Sequence, residues 1–91
     1  MADAIVTLKI MPESPETDLK KIEKKATELI ASFGGEVGKV DIQPVAFGLK
    51  AISLIFVMDE KKGSTEVLEG QVSEIQGVNS VEVTDVRRAI G

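Results

Sequence analysis

Apolar and polar residues alternate along the segment AIVTLKIM near the start of the chain. Val6, Leu8 and Ile10 fall on one face of an extended chain, while Thr7 and Lys9 fall on the other. Successive side chains of a strand point to opposite faces, so this alternation predicts a strand with one buried face.

Over residues 19–33 the apolar positions recur at spacings of three and four, which predicts an amphipathic helix. Its N-cap is expected at Ser14, with Pro15 at the first helical position, or about a turn later at Thr17. A glycine pair at positions 34 and 35 is expected to end it, because glycine readily adopts the left-handed conformation of a helix C-cap. The apolar stripe consists of Leu19, Ile22, Ala26, Leu29, Ile30 and Phe33, and the opposite, solvated face carries Lys20, Lys21, Lys24, Lys25 and Glu28.

Two more strands are predicted on either side of a turn. Val40 and Ile42 alternate with polar neighbours before Pro44, which cannot donate to a neighbouring strand and therefore suits the end of an edge strand. The segment LKAISLIFVM is apolar on both faces, as expected of a central strand covered on much of its length. Phe47, one of only three aromatic residues in the chain, lies in the turn between these two segments.

The charged loop DEKKG precedes a second predicted helix, TEVLEGQVSEIQ. We expect Ser64 to be its N-cap and Gly77 to end it, while Gly70 weakens its interior. Its inward residues are predicted to be Val67, Leu68, Val72 and Ile75.

The last strand is predicted in VNSVEVTDV, where Val81 and Val83 alternate with polar neighbours, and residues 87–91 are expected to form a short tail. The order strand, helix, strand, strand, helix, strand consists of two split βαβ halves. It predicts an α+β fold, the ferredoxin-like βαββαβ sandwich. Right-handed crossovers place both helices on one face of a four-stranded antiparallel sheet. The more apolar first and third strands are expected in the centre of that sheet.

The composition restricts the chemistry. Its 91 residues fit one domain, residues 1–91. Cysteine and histidine are absent, so thiolate or imidazole ligands and Ser-His or Cys-His catalysis are excluded. The glycines of GGEVG follow a helix and precede a strand, which reverses the order of a phosphate-binding loop. We therefore expect a protein that is not an enzyme, with no catalytic residues, no cofactor and no metal site.

The formal net charge of -4 gives no electrostatic reason to approach nucleic acid. The longest apolar run, AISLIFVM, is too short to cross a bilayer, and the N-terminus lacks the features of a signal peptide. We expect a cytoplasmic protein that contacts neither nucleic acid nor membrane directly. Its partner is expected to be a protein or a small molecule.

Phe47 has two interpretations. Its ring either folds back over the end of the core or stays exposed as an anchor that enters a pocket of a partner protein. Taken alone, Asp59 and Glu60 beside two lysines indicate a solvated turn of mixed charge. A second hypothesis remains, that the chain is a regulatory domain of the same topology that binds a small ligand. Ligand sites formed by backbone atoms leave little trace in a sequence.

The spans PVAFGLKAISLIFVMDEKKGSTEVLE and MPESPETDLKKIE resemble the translation elongation factor 1-beta family in its compact archaeal form. The chain is also similar to the catalytic C-terminal domain of the eukaryotic exchange factor, and the resemblance covers nearly all of it. It implies a guanine nucleotide exchange factor for the elongation factor 1-alpha GTPase, binding both its GDP-bound and its nucleotide-free forms. Such a factor promotes replacement of GDP by GTP during translation elongation, without covalent chemistry.

The resemblance also implies a set of partner-binding residues. The phenylalanine of the Pro-x-x-Phe-Gly turn, Phe47 here, would enter a pocket of the GTPase, with Gly48 allowing a close approach and Lys50 contacting acidic groups. Eukaryotic relatives have a penultimate lysine that disturbs the partner's magnesium site, whereas Ile90 stands there in this chain. Arg87 or Arg88 could supply a cation instead; otherwise the tail works differently, or Phe47 and the acidic loop carry more of the effect. The full set comprises Phe47, Gly48, Lys50, Asp59, Glu60, Arg87 and Arg88.

Overall fold

The computed structural model describes residues 3–89 of the chain. Over these residues the order is strand, helix, strand, strand, helix, strand, as the alternation of apolar and polar positions predicts. The strands are β1 (Asp3–Pro12), β2 (Glu36–Pro44), β3 (Lys50–Asp59) and β4 (Val78–Ala89), and the helices are α1 (Leu19–Phe33) and α2 (Glu66–Ser73).

The strands form one antiparallel sheet in the order β2-β3-β1-β4. The predicted ferredoxin-like sandwich is therefore confirmed, with the most apolar strands, β1 and β3, in the centre. Leu8 of β1 lies opposite Leu54 on one side and Val83 on the other. This register places alternate residues of three strands on the same face of the sheet.

The hydrophobic core lies between that face and the two helices. Its residues come from both central strands and from the inner faces of α1 and α2, so both helices cover the same side of the sheet. The burial of this apolar surface is the main favourable term that holds the layers together. Its largest fully buried side chains include Leu8, Ile10, Ile22, Ile30, Ile52, Leu54, Phe56 and Leu68.

Helix α1 begins later than the sequence predicts. Its N-cap is Asp18, whose carboxylate accepts hydrogen bonds from the backbone N–H groups of Lys20 and Lys21. The predictions of Ser14 or Thr17 as the cap were wrong, because their hydroxyl groups lie 3.2 Å apart and hydrogen-bond to each other in the preceding loop. The helix is thus capped by the carboxylate immediately before its first residue.

Helix α2 is shorter than predicted. Thr65 is its N-cap residue, and Ser64 lies outside the helix, where its hydroxyl accepts a hydrogen bond from the Glu66 N–H. Leu68 and Val72 are buried as expected. The prediction that Val67 faces inward was wrong, since 68% of this residue is exposed to solvent.

Strand β4 continues where the sequence predicts a tail. Arg87 lies opposite Ile5 of β1, and Arg88 lies opposite Ala4. The prediction of a tail from residue 87 was therefore wrong for residues 87–89, and residues 90 and 91 lie outside the described part of the chain. A register shift after Val83 leaves one extra residue in β4, as in a β-bulge.

The glycine pair ends α1 as predicted, and each glycine has its own physical reason. Gly34 has φ 105°, the left-handed conformation of a helix C-cap, and its N–H donates to the carbonyl of Ile30. Gly35 lies against the core, so that a methyl group added to it would come within 2.9 Å of Cγ2 of Ile30 and 3.0 Å of Cδ2 of Phe56. The start of β2 therefore approaches the core as closely as a residue without a side chain permits.

We expect Gly35→Ala and Gly70→Ala to change the free energy of unfolding in opposite directions. Gly35→Ala should lower it by about 1–3 kcal/mol, because the methyl group overpacks the core. Gly70→Ala should raise it by about 0.5–1 kcal/mol, because Gly70 lies inside α2 and, apart from its two chain neighbours and the backbone of the helix itself, no atom lies within 4 Å of an added methyl group. Urea unfolding followed by circular dichroism measures both, and stabilisation by Gly35→Ala would contradict the close packing.

Candidate functional site

Phe47 is exposed at the tip of the hairpin between β2 and β3. Solvent reaches 94% of the residue, so its ring does not fold back over the core. The other two aromatic residues behave differently, because Phe56 is fully buried and Phe33 packs against the edge of the core. Of the two interpretations of Phe47, the exposed one agrees with the structure.

The backbone of this hairpin forms a tight turn over residues 46–49, which we call the anchor turn. The Leu49 N–H donates to the carbonyl of Ala46 at 3.2 Å, and the Val45 N–H donates to the carbonyl of Leu49 at 2.8 Å. The two central residues, Phe47 (φ 60°, ψ 32°) and Gly48 (φ 76°), both have positive φ. Positive φ at both central positions is the signature of a type I′ turn.

The left-handed conformation is unfavourable for phenylalanine. Asn, Asp and Gly normally occupy the first central position of such a turn, whereas a bulky residue with positive φ is an outlier. Among residues 3–89, Phe47 is the only residue other than glycine with positive φ. Strain of this kind costs about 1–3 kcal/mol and clusters at functional sites, which makes the ring a candidate for a role outside its own molecule.

Lys50 lies beside the anchor turn as the first residue of β3. It is opposite Pro44 in the hairpin, and its side chain is exposed. The ion pairs identified within residues 3–89 do not include it. The structure therefore brings Phe47, Gly48 and Lys50 together at one end of the sheet.

The other predicted partner-binding residues lie at the opposite end of the sheet. Asp59 accepts a hydrogen bond from the Lys61 N–H at 2.9 Å and so stabilises the loop that follows β3. Glu60 forms two hydrogen bonds with Arg88, from Nε to Oε2 at 3.0 Å and from Nη2 to Oε1 at 3.3 Å. This bidentate pair joins the loop to the end of β4.

Arg87 and Arg88 point to opposite faces of the sheet, because they are consecutive residues of one strand. Arg87 Nε donates to the carboxylate of Asp85, two positions earlier on the same strand, at 2.8 Å. Both ion pairs are largely exposed to solvent, and exposed pairs contribute at most about 1 kcal/mol each.

Glu60 and Arg88 contribute to the lining of a groove of about 490 Å³. Val86 lies on the side of β4 that faces the helices, opposite Val6, yet 61% of it is exposed because the helices do not cover this end of the strand. The groove combines apolar side chains with a charged and hydroxylated border. Its lining comprises Ala4, Val6, Met58, Glu60, Gly63, Ser64, Thr65, Val86, Arg87 and Arg88.

Strand β3 separates the two ends. Its ten residues span about 30 Å at about 3.3 Å per residue. The seven predicted residues therefore form two groups, with three at the anchor turn and four around the loop and β4. A single partner that contacts both groups has to extend along the whole length of the sheet.

Sequence reasoning missed Val86, although the sequence contains a signal for it. Val81 and Val83 follow the alternation of β4, while Val86 comes three positions after Val83 and breaks it. Such a change of phase indicates a β-bulge, which turns the later residue back toward the helix-facing side. The bulge thus places an apolar residue in the groove.

Comparison with known families identifies the chain. The model of the EF-1 guanine nucleotide exchange domain matches residues 5–89. The chain belongs to this family. Elongation factor 1-beta of Methanothermobacter thermautotrophicus is 46% identical over 88 residues, covering 97% of this chain and 98% of that protein. Elongation factor 1-beta of Staphylothermus marinus is 43% identical over 89 residues, with the same coverage of both chains.

Membership of the EF-1 exchange family makes the chain a translation elongation exchange factor. The family resemblance seen in the sequence is thereby confirmed. The family is one of exchange factors and not of catalysts of covalent chemistry.

Solved structures outside the EF-1 exchange family share the fold. The C-terminal domain of the MgtC protein from Mycobacterium tuberculosis matches with a TM-score of 0.65 at 13% identity, covering 96% of this chain and 87% of that one. The ACT domain from GTP pyrophosphokinase of Chlorobium tepidum matches with a TM-score of 0.61 at 18% identity, covering 89% and 97%. Identities this low indicate a common architecture and do not carry function from one protein to another.

Neither a metal site nor a membrane span is found within the described residues. Across residues 3–89, His, Cys, Asp and Glu side chains form no group of three or more that could hold a metal ion. In the same part of the chain, neither helix is long and apolar enough to cross a bilayer.

We expect Phe47→Asn to raise the free energy of unfolding by about 0.5–1 kcal/mol, because asparagine adopts the left-handed conformation at a lower cost. Urea unfolding measures this change. Ile42→Asn is the control, since Ile42 is also an exposed apolar residue of the same hairpin but belongs to strand β2. That variant should lose stability, because asparagine is disfavoured in strands. Destabilisation by Phe47→Asn would contradict the strain assigned to the turn.

Proposed function

We propose that this protein promotes the replacement of GDP by GTP on elongation factor 1-alpha by inserting Phe47 into a pocket of that GTPase. The observation that carries the proposal is the almost complete exposure of an aromatic ring on a strained, hydrogen-bonded turn. The turn fixes the backbone of the ring before the partner arrives, so little conformational entropy is lost on binding. Buried aromatic anchors of this kind contribute much of the binding energy of protein interfaces.

Exchange follows from thermodynamic linkage. A factor that binds the nucleotide-free GTPase more tightly than the GDP-bound form must weaken GDP binding by the same ratio. The complex of factor and empty GTPase is then the stabilised intermediate from which either nucleotide rebinds. Neither step changes a covalent bond, so the protein acts as a binding partner and not as an enzyme. We place this activity in the cytoplasm and in a single domain, residues 1–91.

The end of the sheet that carries the groove supplies the second contact with the GTPase in this proposal. Arg88 is held by Glu60 and Arg87 by Asp85, but both pairs are weak enough for an acidic group of a partner to replace either carboxylate. A guanidinium is a broad planar fork, and a lysine ammonium is a compact point charge. We therefore assign the arginines to the recognition of carboxylates, and the release of GDP chiefly to Phe47.

Phe47→Ala is expected to slow stimulated GDP release at least about tenfold, which corresponds to about 1.4 kcal/mol of lost stabilisation. The measurement is release of a fluorescent GDP analogue from elongation factor 1-alpha. Ile42→Ala shortens another exposed apolar side chain of the same hairpin and should keep most of the activity. A folded Phe47→Ala protein with full exchange activity would remove the anchor from the proposal.

Val86→Asp tests the groove end. A carboxylate placed among the apolar residues of the groove is expected to raise the half-saturating concentration for exchange at least about tenfold, because its charge must be desolvated in the complex. Val67→Asp is the matched control, since Val67 is similarly exposed but does not line the groove. Equal effects of the two substitutions would exclude the groove from the interface.

A further inference from the structure

The sheet has a second face, on the side away from both helices. Residues directly opposite each other in antiparallel strands point to the same side of a sheet, and the core uses the side of Leu8 and Leu54. The alternate positions form the other side, which we call the open face. From β2 across β3 and β1 to β4, its first row is Glu36, Val57, Ile5 and Arg87, its second row is Lys39, Ile55, Thr7 and Asp85, and its third row is Asp41, Ser53, Lys9 and Glu82.

Apolar side chains occupy the middle of the first two rows. Val57 is 37% exposed, and Ile5 and Ile55 are half-buried. The third row, nearer the anchor turn, has the buried Ser53 and the half-buried Lys9 at its middle. An apolar centre with a charged border is the arrangement found in protein interfaces.

The charges on the two edge strands alternate in sign. The first row has Glu36 on β2 and Arg87 on β4, and the second row has Lys39 on β2 and Asp85 on β4. Lys39 lies 3.7 Å from the carboxylate of Asp41, and Arg87 lies 2.8 Å from that of Asp85. The side chains of Lys39 and Arg87 are nevertheless 65% and 77% exposed, so each can accept a further carboxylate.

This pattern of charges is complementary to itself. A two-fold axis parallel to the strands, placed between β1 and β3, lays β2 of one copy over β4 of another. Glu36 then meets the second copy's Arg87, and Lys39 meets the second copy's Asp85. Each pair occurs twice, because a two-fold interface uses the same surface of both copies. The same axis lays Val57 over the second copy's Ile5.

The rest of the open face limits the strength of such a contact. The axis also brings Asp41 over Glu82 and Asp59 over Asp3, which are pairs of like charge. Four strands about 4.8 Å apart, paired over about 26 Å, give a face of about 500 Å². Two copies would bury about 1,000 Å² in total, which is near the lower limit for a specific interface. We therefore expect a weak dimer that depends on protein concentration.

The edges of the sheet are less suited to self-association than its face. In β2 a register shift between Val37 and Lys39 leaves Gly38 as an extra residue, and β4 has its own shift after Val83. Bulges of this kind distort an edge strand and hinder its pairing with another chain.

We propose that two copies of this chain associate through the open face, about a two-fold axis parallel to the strands. The observation that carries the proposal is the reversal of charge between the two edges in both rows that have an apolar centre. This association goes beyond the proposed exchange activity and does not depend on it.

The test reverses the two charges of the second row, at positions that are not among the residues assigned to the GTPase. Lys39→Glu places a carboxylate over Asp85 of the second copy, and Asp85→Lys places an ammonium over Lys39. Either variant alone should raise the dissociation constant of the dimer at least about tenfold, because like charges then meet twice. Sedimentation equilibrium at concentrations up to about 1 mM measures the constant.

An equimolar mixture of the two variants is the decisive sample. In a mixed dimer Glu at position 39 meets Lys at position 85, and the unmodified Asp85 meets the unmodified Lys39. The dissociation constant should therefore return to within about threefold of that of the unmodified chain. A defect of folding in either variant would not be repaired by mixing.

Lys24→Glu is the matched control, because it changes the net charge as Lys39→Glu does but lies on the exposed surface of α1. It should leave the dissociation constant within about threefold. An unmodified chain that stays monomeric, an equal loss in Lys24→Glu, or a mixture that associates no better than the separate variants would overturn the proposal. A monomeric chain whose exchange activity falls in Lys39→Glu would also overturn it, and would assign the open face to the GTPase.

Discussion

The left-handed backbone of Phe47 is the constraint on which this account depends. The turn between β2 and β3 requires positive φ at two consecutive positions, and the chain meets this requirement with one glycine and one phenylalanine. The phenylalanine adds strain and exposes its whole ring to water, so neither local geometry nor core packing explains its presence. We propose that binding to another molecule accounts for both, because the turn fixes the backbone that carries the ring and a partner would remove the ring from water.

The sheet gives that ring a defined position relative to the rest of the protein. A continuous central strand of ten residues joins the anchor turn to the loop where Glu60 meets Arg88, about 30 Å away. The strand is hydrogen-bonded on both sides and contributes fully buried side chains to the core, so the spacing between the two ends is fixed. The fold therefore holds an exposed aromatic ring at one end of the sheet and a groove with charged borders at the other.

The periodic burial of side chains made the fold predictable from the sequence. Val6, Leu8 and Ile10 alternate with polar residues because one face of β1 packs against the helices. This alternation involves neighbouring positions of the sequence, so it can be recognised without knowledge of the fold. The helix starts were less predictable, since Ser14, Thr17 and Asp18 all suit a cap and only the hydrogen bonds of the folded loop decide among them.

The candidate site was predictable only in part. The position of Phe47 in a turn was predictable from the sequence, and the resemblance of the Pro-x-x-Phe-Gly segment to a known family implied its role, but no pattern specified its φ angle or its exposure. The grouping of the other residues depends on the register of β1 and β4, which the sequence does not determine by itself. The bulge after Val83 arises from that tertiary arrangement.

The most direct test of the central claim is nuclear magnetic resonance of the chain with ¹³C-labelled phenylalanine rings, titrated with nucleotide-free elongation factor 1-alpha. The three phenylalanines give one exposed, one half-buried and one fully buried ring, so each acts as an internal reference for the others. The account predicts that the Phe47 signal shifts and broadens strongly, while those of Phe33 and Phe56 change little. A Phe47 signal that keeps its free position and width in the saturated complex would contradict the claim.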